Sequence, residues 1–367
     1  MILNQEQSML RASVAQFFEE QSPVSLLRER QQRPVGESYD RELWSQMVDL
    51  GLTGITVPER FDGLEFGWMG LGAVSQEAGR RLVASPLLSS VALAQNVLLN
   101  CASKGQIERH LPKLLSGEIT ASVALDEGRF FSPSSVLVTE QNGQISGSKA
   151  RVIDAAMSSL IFCVARREAG ALGVALVAAD DECLSITPTR LMDLHGCAAI
   201  SFAGVPADRI EWLDGVDVAR GLERAIDQAT IVLAAEMMGG ARETLERTVS
   251  YLNQREQFDV KLASFQALQH RCARLYCELE LAESAVAAAL ITLDDPESSV
   301  SAQASAAKTL ANDVFSLITS EAVQLHGGMG VTEEMDIGLF LKRSRVCNQL
   351  LGSSSYHRDR YARLFGF

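Results

Sequence analysis

The chain reads as an α+β protein in three blocks, helices first, then strands, then a long helical bundle. Three observations predict this. Residues 1–118 and 216–367 place apolar side chains at three- and four-residue spacing, the period of a helix with one buried face. Residues 119–215 break into short β-branched runs separated by turn residues, the texture of an all-β domain. No internal repeat and no low-complexity linker separates the blocks.

In the first block, LRASVAQFFEE and ELWSQMVDLGL carry the helical period, Gly51, Pro58 and Gly63 punctuate it, and VALAQNVLLNCA is a more fully apolar helix. HLPKLLSGE closes the block with Gly117 at a helix end, where a residue without Cβ accepts left-handed backbone. In the second block, ITASVAL, SSVLVTEQNGQISGSKARVI, LIFCVAR, GVALVAA, LSITPTR and AAISFAGVPADRI are the strand candidates. Asn142-Gly143 predicts a hairpin turn, because both residues tolerate positive φ. In the third, one helix runs through ARGLERAIDQATIVLAAEMMGGARETLERTVSYLNQRE and a second through FQALQHRCARLYCELELAESAVAAALITL. Asp294-Asp295-Pro296 interrupts, and SSVSAQASAAKTLANDVFSLITSEAVQLHG follows. Long amphipathic helices in this order suggest an antiparallel bundle.

Composition narrows the function classes. Of 367 residues, 47% are hydrophobic and 22% charged, with a net charge of -13. That balance argues against a nucleic-acid surface, which needs clustered Lys and Arg. Seven cysteines lie scattered without a CxxC pair, suggesting reduced thiols in a cytoplasm. MILNQEQSMLRASVAQFF lacks the basic and apolar regions of a signal peptide, and no apolar run is long enough to span a membrane. The five histidines are too dispersed for a metal site. In SSSYHRDRYARL, the pattern around His357 reads as a helix cap with solvated charges, since no held nucleophile accompanies it.

Two stretches carry chemistry. In YLNQREQFDVKLASFQALQH, Arg255 and Phe258 precede Phe265-Gln266 at the next helix start. They serve packing alone, or they form an anion clamp. In the clamp Arg255 presents its fixed fork to a pyrophosphate, Phe258 an apolar wall and Gln266 an amide. QLHGGMG (Gln324–Gly330) ends a good helical pattern with three glycines in four residues, at about 1 kcal/mol each against Ala inside a helix. It is an inter-helix turn, or a place where a ligand approaches bare backbone.

At this spacing the two stretches resemble the acyl-CoA dehydrogenase family, which carries R-x-x-F-G, then FQ, then Q-x-x-GG-x-G downstream. LGLTGITVPERFDGL resembles its N-terminal G…PE…GG loop, SGSKARVIDAA its G-x-K strand, and HGCAAISFAGVPADRI the strand before its bundle. The resemblance covers nearly the whole chain. It implies an N-terminal helical domain (1–118), a central β-barrel or sandwich (119–215) and an antiparallel four-helix bundle (216–367). It also implies FAD as cofactor, an acyl-CoA substrate, and a dimer or tetramer with flavin sites at subunit interfaces. A soluble electron-transfer partner is compatible with it. Arg255, Phe258, Gln266, Gln324, Gly327, Gly328 and Ser353 are the cofactor-binding candidates it implies, and most of them reach a neighbouring subunit's flavin.

The sequence departs from the family where the chemistry needs a base. The Glu of the family's Y-E-G-T segment falls on Leu351, and that of a second arrangement falls on Ala229. Asp227 and Glu236 are the nearest carboxylates, but the offset of two residues turns the Asp227 side chain about 200° away, and Glu236 lies about two turns further along. They are read as helix-surface or interface charges. The family's T-E-P-x-x-G-S-D flavin segment is replaced by ALDEGRFFSPSS, with only Asp126, Glu127 and a displaced Ser cluster. Trp-Ile-Thr becomes Arg151-Val152-Ile153, and Asp259 replaces the glycine after Phe258. Three expectations follow. The chain is one subunit of a heteromer whose partner brings the base, of the kind that the resemblance links to bulky, steroid-derived CoA thioesters. Alternatively it is a self-sufficient homo-oligomer using Asp227 or Glu236. Or it is a non-catalytic acyl-CoA- or partner-binding protein of the same fold.

Overall fold

The computed structural model describes residues 3–128, 130–133, 135–295 and 298–367. Pro296 of the predicted break and Ser134 of the Ser cluster lie outside the described residues. The first helices are α1 (Gln5–Gln21), α2 (Val24–Glu29), α3 (Arg41–Asp49), α4 (Gly67–Arg81), α5 (Gln95–Cys101) and α6 (Lys104–Leu115). Asn4 starts α1 with a capping box, its side chain accepting from the Gln7 amide at 2.8 Å. Gly117, with φ of 69°, follows the end of α6 as expected. The apolar stretch before α5 is a π-helix, Leu87–Ala94.

The strands are β1 (Ala121–Ala124), β2 (Thr139–Gln141), β3 (Gln144–Ile153), β4 (Leu160–Arg166), β5 (Leu172–Ala178), β6 (Leu184–Arg190), β7 (Gly196–Pro206) and β8 (Glu211–Trp212). They form one mixed sheet in the order β6-β7-β3-β2-β4-β5-β8, with β1 parallel to β4. Asn142 and Gly143 turn β2 into β3 with φ of 51° and 72°, the predicted hairpin. Val138, Ile145, Val152, Ile200 and Phe202 alternate with more exposed neighbours and fill the core together with Ile161 of β4, a strand buried on both faces. The β3–β7 register slips between Lys149 and Val152, a bulge of the kind that re-aims side chains.

The helical remainder comprises α7 (Val218–Gln254), α8 (Gln266–Leu293), α9 (Ser301–His326), α10 (Ile337–Cys347) and α11 (Ser354–Leu364). Between α7 and α8, β9 (Glu256–Gln257) and β10 (Val260–Lys261) make a two-stranded ribbon. The chain divides into two compact units. One contains residues 30–67 and 84–229, including the sheet; the other contains residues 1–29, 68–83 and 230–367. In the second, α9 packs against α8, α10 and α11.

There α4 and α7 meet backbone to backbone. A Cβ on Gly79 would stand 1.9 Å from the Glu236 carbonyl oxygen, and one on Gly239 1.9 Å from that of Gln76. Neither oxygen has a side chain's freedom to retreat. Gly79→Ala therefore costs about 3 kcal/mol as an overpacked contact, read as a lower urea midpoint; an unchanged midpoint would show that the helices part freely.

Candidate functional site

The ribbon after α7 places the clamp candidates. Its two turn residues, Phe258 and Asp259, have φ of 56° and 61°, left-handed backbone that Phe rarely adopts and that Asp tolerates at more cost than Gly. The turn holds Phe258 out with 86% of its surface exposed. The Phe265 ring stands edge-on to it at 6.3 Å. Arg255 is exposed at the base of the ribbon, its carbonyl accepting from the Leu262 amide at 2.9 Å. Among the described residues its guanidinium has no hydrogen-bond or ion-pair partner. Gln266 is exposed as the first residue of α8. A free guanidinium, an exposed ring and a helix N-terminus thus share one short segment. Asp259→Gly removes left-handed strain from a side chain, so it stabilises the ribbon by about 0.5–1 kcal/mol; a lower melting temperature would contradict this.

The glycine stretch lies where α9 stops. Gln324 is exposed and its carbonyl accepts from the Gly327 amide. Gly327 has φ 59° and ψ -139°, a conformation essentially confined to glycine. Gly330 packs so closely that a Cβ would lie 2.5 Å from the Val323 carbonyl oxygen. Gly328 is different. Its φ is not left-handed, and a Cβ there would meet nothing within 4 Å. Nothing within the chain requires glycine at 328. Open space before bare backbone suits a group from outside. Beneath it His326 stacks on Tyr251 at 4.3 Å and donates from Nδ1 to the Ala322 carbonyl at 2.8 Å. Burial lowers its pKa, so the ring is neutral.

Leu351 sits in the turn between α10 and α11, 5% exposed, with φ of 54°. Ser353 caps α11 through the Tyr356 amide at 3.4 Å. His357 is not among solvated charges as expected. It is 1% exposed, and its Nε2–H donates to the Leu351 carbonyl at 2.9 Å. Burial pushes its pKa down to about 3, which keeps it neutral. Lys308, wholly buried, donates to Asn312 Oδ1 at 2.7 Å and to the Cys347 and Gly352 carbonyls at 2.8 and 3.2 Å. Burial brings its pKa down to about 7.

Of the nearby carboxylates, Glu236 is held by Arg343, whose Nε and Nη2 lie 2.9 and 2.6 Å from Oε1. Asp227 is not a surface charge, being 1% exposed within the buried run of α7 that includes Ala229. The reading failed there because both faces of this part of α7 are covered. In the sheet unit, Glu127 accepts from the buried Lys149 at 2.5 Å and from the Val138 amide at 3.1 Å. Asp126 pairs with Arg151 at 3.1 Å, though burial still raises its pKa. The Ile153 carbonyl accepts from Ser122 Oγ at 2.6 Å. The acids of the replaced segment are thus taken by the chain's own cations.

A family model described as the acyl-CoA dehydrogenase N-terminal domain matches residues 4–118, and one for the C-terminal domain matches residues 214–365. The acyl-CoA dehydrogenase IpdE2 of Mycolicibacterium smegmatis is 30% identical over 358 residues, 95% of this chain and 96% of that protein. The chain belongs to the acyl-CoA dehydrogenase family. That family is one of FAD-dependent oxidoreductases acting on acyl-CoA. IpdE2 of Mycobacterium tuberculosis is 29% identical, covering 95% of this chain and 94% of that one. Among solved structures, a variant of the Tcur3481-Tcur3483 steroid ACAD superposes with a TM-score of 0.88 at 26% identity, covering 98% of both chains. The ChsE4-ChsE5 complex from Mycobacterium tuberculosis gives 0.88 at 24% identity, with 100% of this chain and 99% of that chain covered; at that identity the likeness is one of fold. No helix among the described residues is long and apolar enough to cross a membrane.

Sequence reasoning missed Lys308 and Arg343, and Lys149 entered only as the lysine of the G-x-K resemblance, without its buried ion pair. The signal for Lys308 was a lysine among the alanines of a helix face. Arg343 gave none, since its partner lies 107 positions away.

Proposed function

We propose that this chain is the base-lacking subunit of a heteromeric acyl-CoA dehydrogenase. Removing the α-proton of an acyl thioester needs a placed carboxylate. The observation that carries the reading is Leu351, a buried side chain without an ionisable atom at the position that the sequence resemblance gives to the family's base. Glu236 is tied to Arg343, and Asp227 is buried on α7. The partner therefore supplies the base, and the steroid ACAD among similar structures favours bulky, steroid-derived acyl groups.

The residues present fit an FAD held mainly by the partner. Arg255 neutralises a phosphate, Phe258 covers an apolar face, and Gln266 and Gln324 offer amides. Gly327 and Gly328 let backbone N–H groups come close, and the open space at Gly328 favours this assignment. Ser353 keeps its turn in register by capping α11. Bound FAD supplies the hydride acceptor of the reaction. This chain's own flavin bed fits less well, since Asp126 and Glu127 are committed to Arg151 and Lys149. A soluble protein then carries electrons away.

The test is purification of the chain alone and together with a family member that retains its Glu. Flavin per chain and acyl-CoA oxidation are measured in both. Flavin and turnover only in the mixed assembly are expected. Ordinary turnover by the chain alone would sink the reading and favour the homo-oligomer, whose base is then sought in an Asp227→Asn, Glu236→Gln double variant. An assembly that never carries flavin would favour a binding protein.

A further inference from the structure

The turn to which the sequence resemblance assigns a carboxylate is closely supported. Leu351 and Gly352 have φ of 54° and 109°, and two successive left-handed residues persist only where the surroundings hold them. Here each carbonyl of the pair has a buried donor. His357 Nε2–H bonds the Leu351 oxygen at 2.9 Å, and Lys308 Nζ bonds the Gly352 oxygen at 3.2 Å. Lys308 also bonds the Cys347 carbonyl at the end of α10, where the helix dipole favours a cation. Asn312 takes its third proton and donates to the Gly352 oxygen at 3.4 Å. Gly352 itself admits no side chain, because a Cβ would fall 2.6 Å from Tyr356 and 2.7 Å from His357. A buried ammonium is costly, and a neutral donor would hold a mere connection at less expense.

We infer that Lys308 is a positioning residue that, with His357, keeps position 351 in the geometry of a base-bearing turn, so that this turn lacks only the carboxylate. This rests on the heteromeric reading above. A carboxylate restored at 351 takes the α-proton of the thioester. The C–H bond breaks, an O–H bond forms, the electron pair moves into the enolate, and reversal in D2O returns deuterium. No oxidant is consumed.

The experiment uses the flavin-containing assembly with its partner and a saturated acyl-CoA in D2O, following deuterium entry at Cα by mass spectrometry. Leu351→Glu in this chain is expected to raise the exchange about twofold over wild type, as a second base site would. Adding Lys308→Met returns exchange to the wild-type level. Adding Lys308→Gln instead keeps an N–H donor and retains part of the gain. Melting curves check that each assembly is folded, and a role in folding alone would not separate Met from Gln at equal stability. No gain from Leu351→Glu overturns the inference, and so does a gain that survives Lys308→Met. Failure of the heteromeric reading looks different, because the wild-type chain would then turn over without its partner, or the wild-type assembly would never carry flavin.

Discussion

Arg255→Ala is expected to weaken FAD retention by the assembled enzyme about 10- to 100-fold while leaving the fold intact. The first half follows from the magnitude of a hydrogen bond to a charged group, about 1.5–3 kcal/mol, with each 1.4 kcal/mol a factor of ten. The second half follows from the lack of a partner for its guanidinium among the described residues; a surface change that breaks no contact stays within about 0.5 kcal/mol. Arg271→Ala is the contrast. Arg271 bonds Glu321 at 2.8 Å within the same unit, so its loss touches stability and not flavin. Flavin release after gel filtration, followed by fluorescence, separates the two. Equal flavin loss in both variants, or in neither, would remove Arg255 from the cofactor site.

What the sequence made legible depends on how far apart the interacting residues lie. The helices, the strands and the Asn142-Gly143 hairpin are written in local period and turn chemistry, and they stand where expected. The end of α9 at QLHGGMG is equally local. The ribbon after Arg255 was not legible, because Phe258-Asp259 carries neither Asn nor Gly to announce a turn with two positive φ angles. The π-helix Leu87–Ala94 reads as an ordinary apolar helix, since side-chain pattern does not distinguish the hydrogen-bond period. The candidate site divides the same way. Its exposed half consists of residues that face solvent on short local segments, and these stand out as motifs. Its buried half depends on pairs such as Lys308 with Gly352, 44 positions apart, or Glu236 with Arg343. A buried lysine is rare enough that sequence alone assigns it to the surface.

Lys308 also leaves a signature in the pH dependence of stability. Its pKa is about 7 in the folded chain against an ordinary 10.5, so between those values the unfolded chain binds more protons. Stability then rises with pH across that window, by up to about 1.4 kcal/mol per pH unit for one fully titrating group. Below pH 7 the ammonium is present in both states and its full burial cost is felt. Two other sets of groups bound the measurement. His357 falls from 6.5 to about 3 on folding, so its contribution is lost as pH drops below 6.5, outside the window. The buried Cys101 and Cys163 thiols are pushed up to about 12 from 9.0. The unfolded chain sheds those protons first, and stability declines above pH 9. Urea midpoints between pH 7 and 9 therefore isolate the lysine. Wild type is expected to gain stability over that range, and Lys308→Met to lose most of the gain. An identical slope in the variant would mean that the amine is not the group titrating there, and that the turn at Leu351 is held by its carbonyl partners without a buried charge.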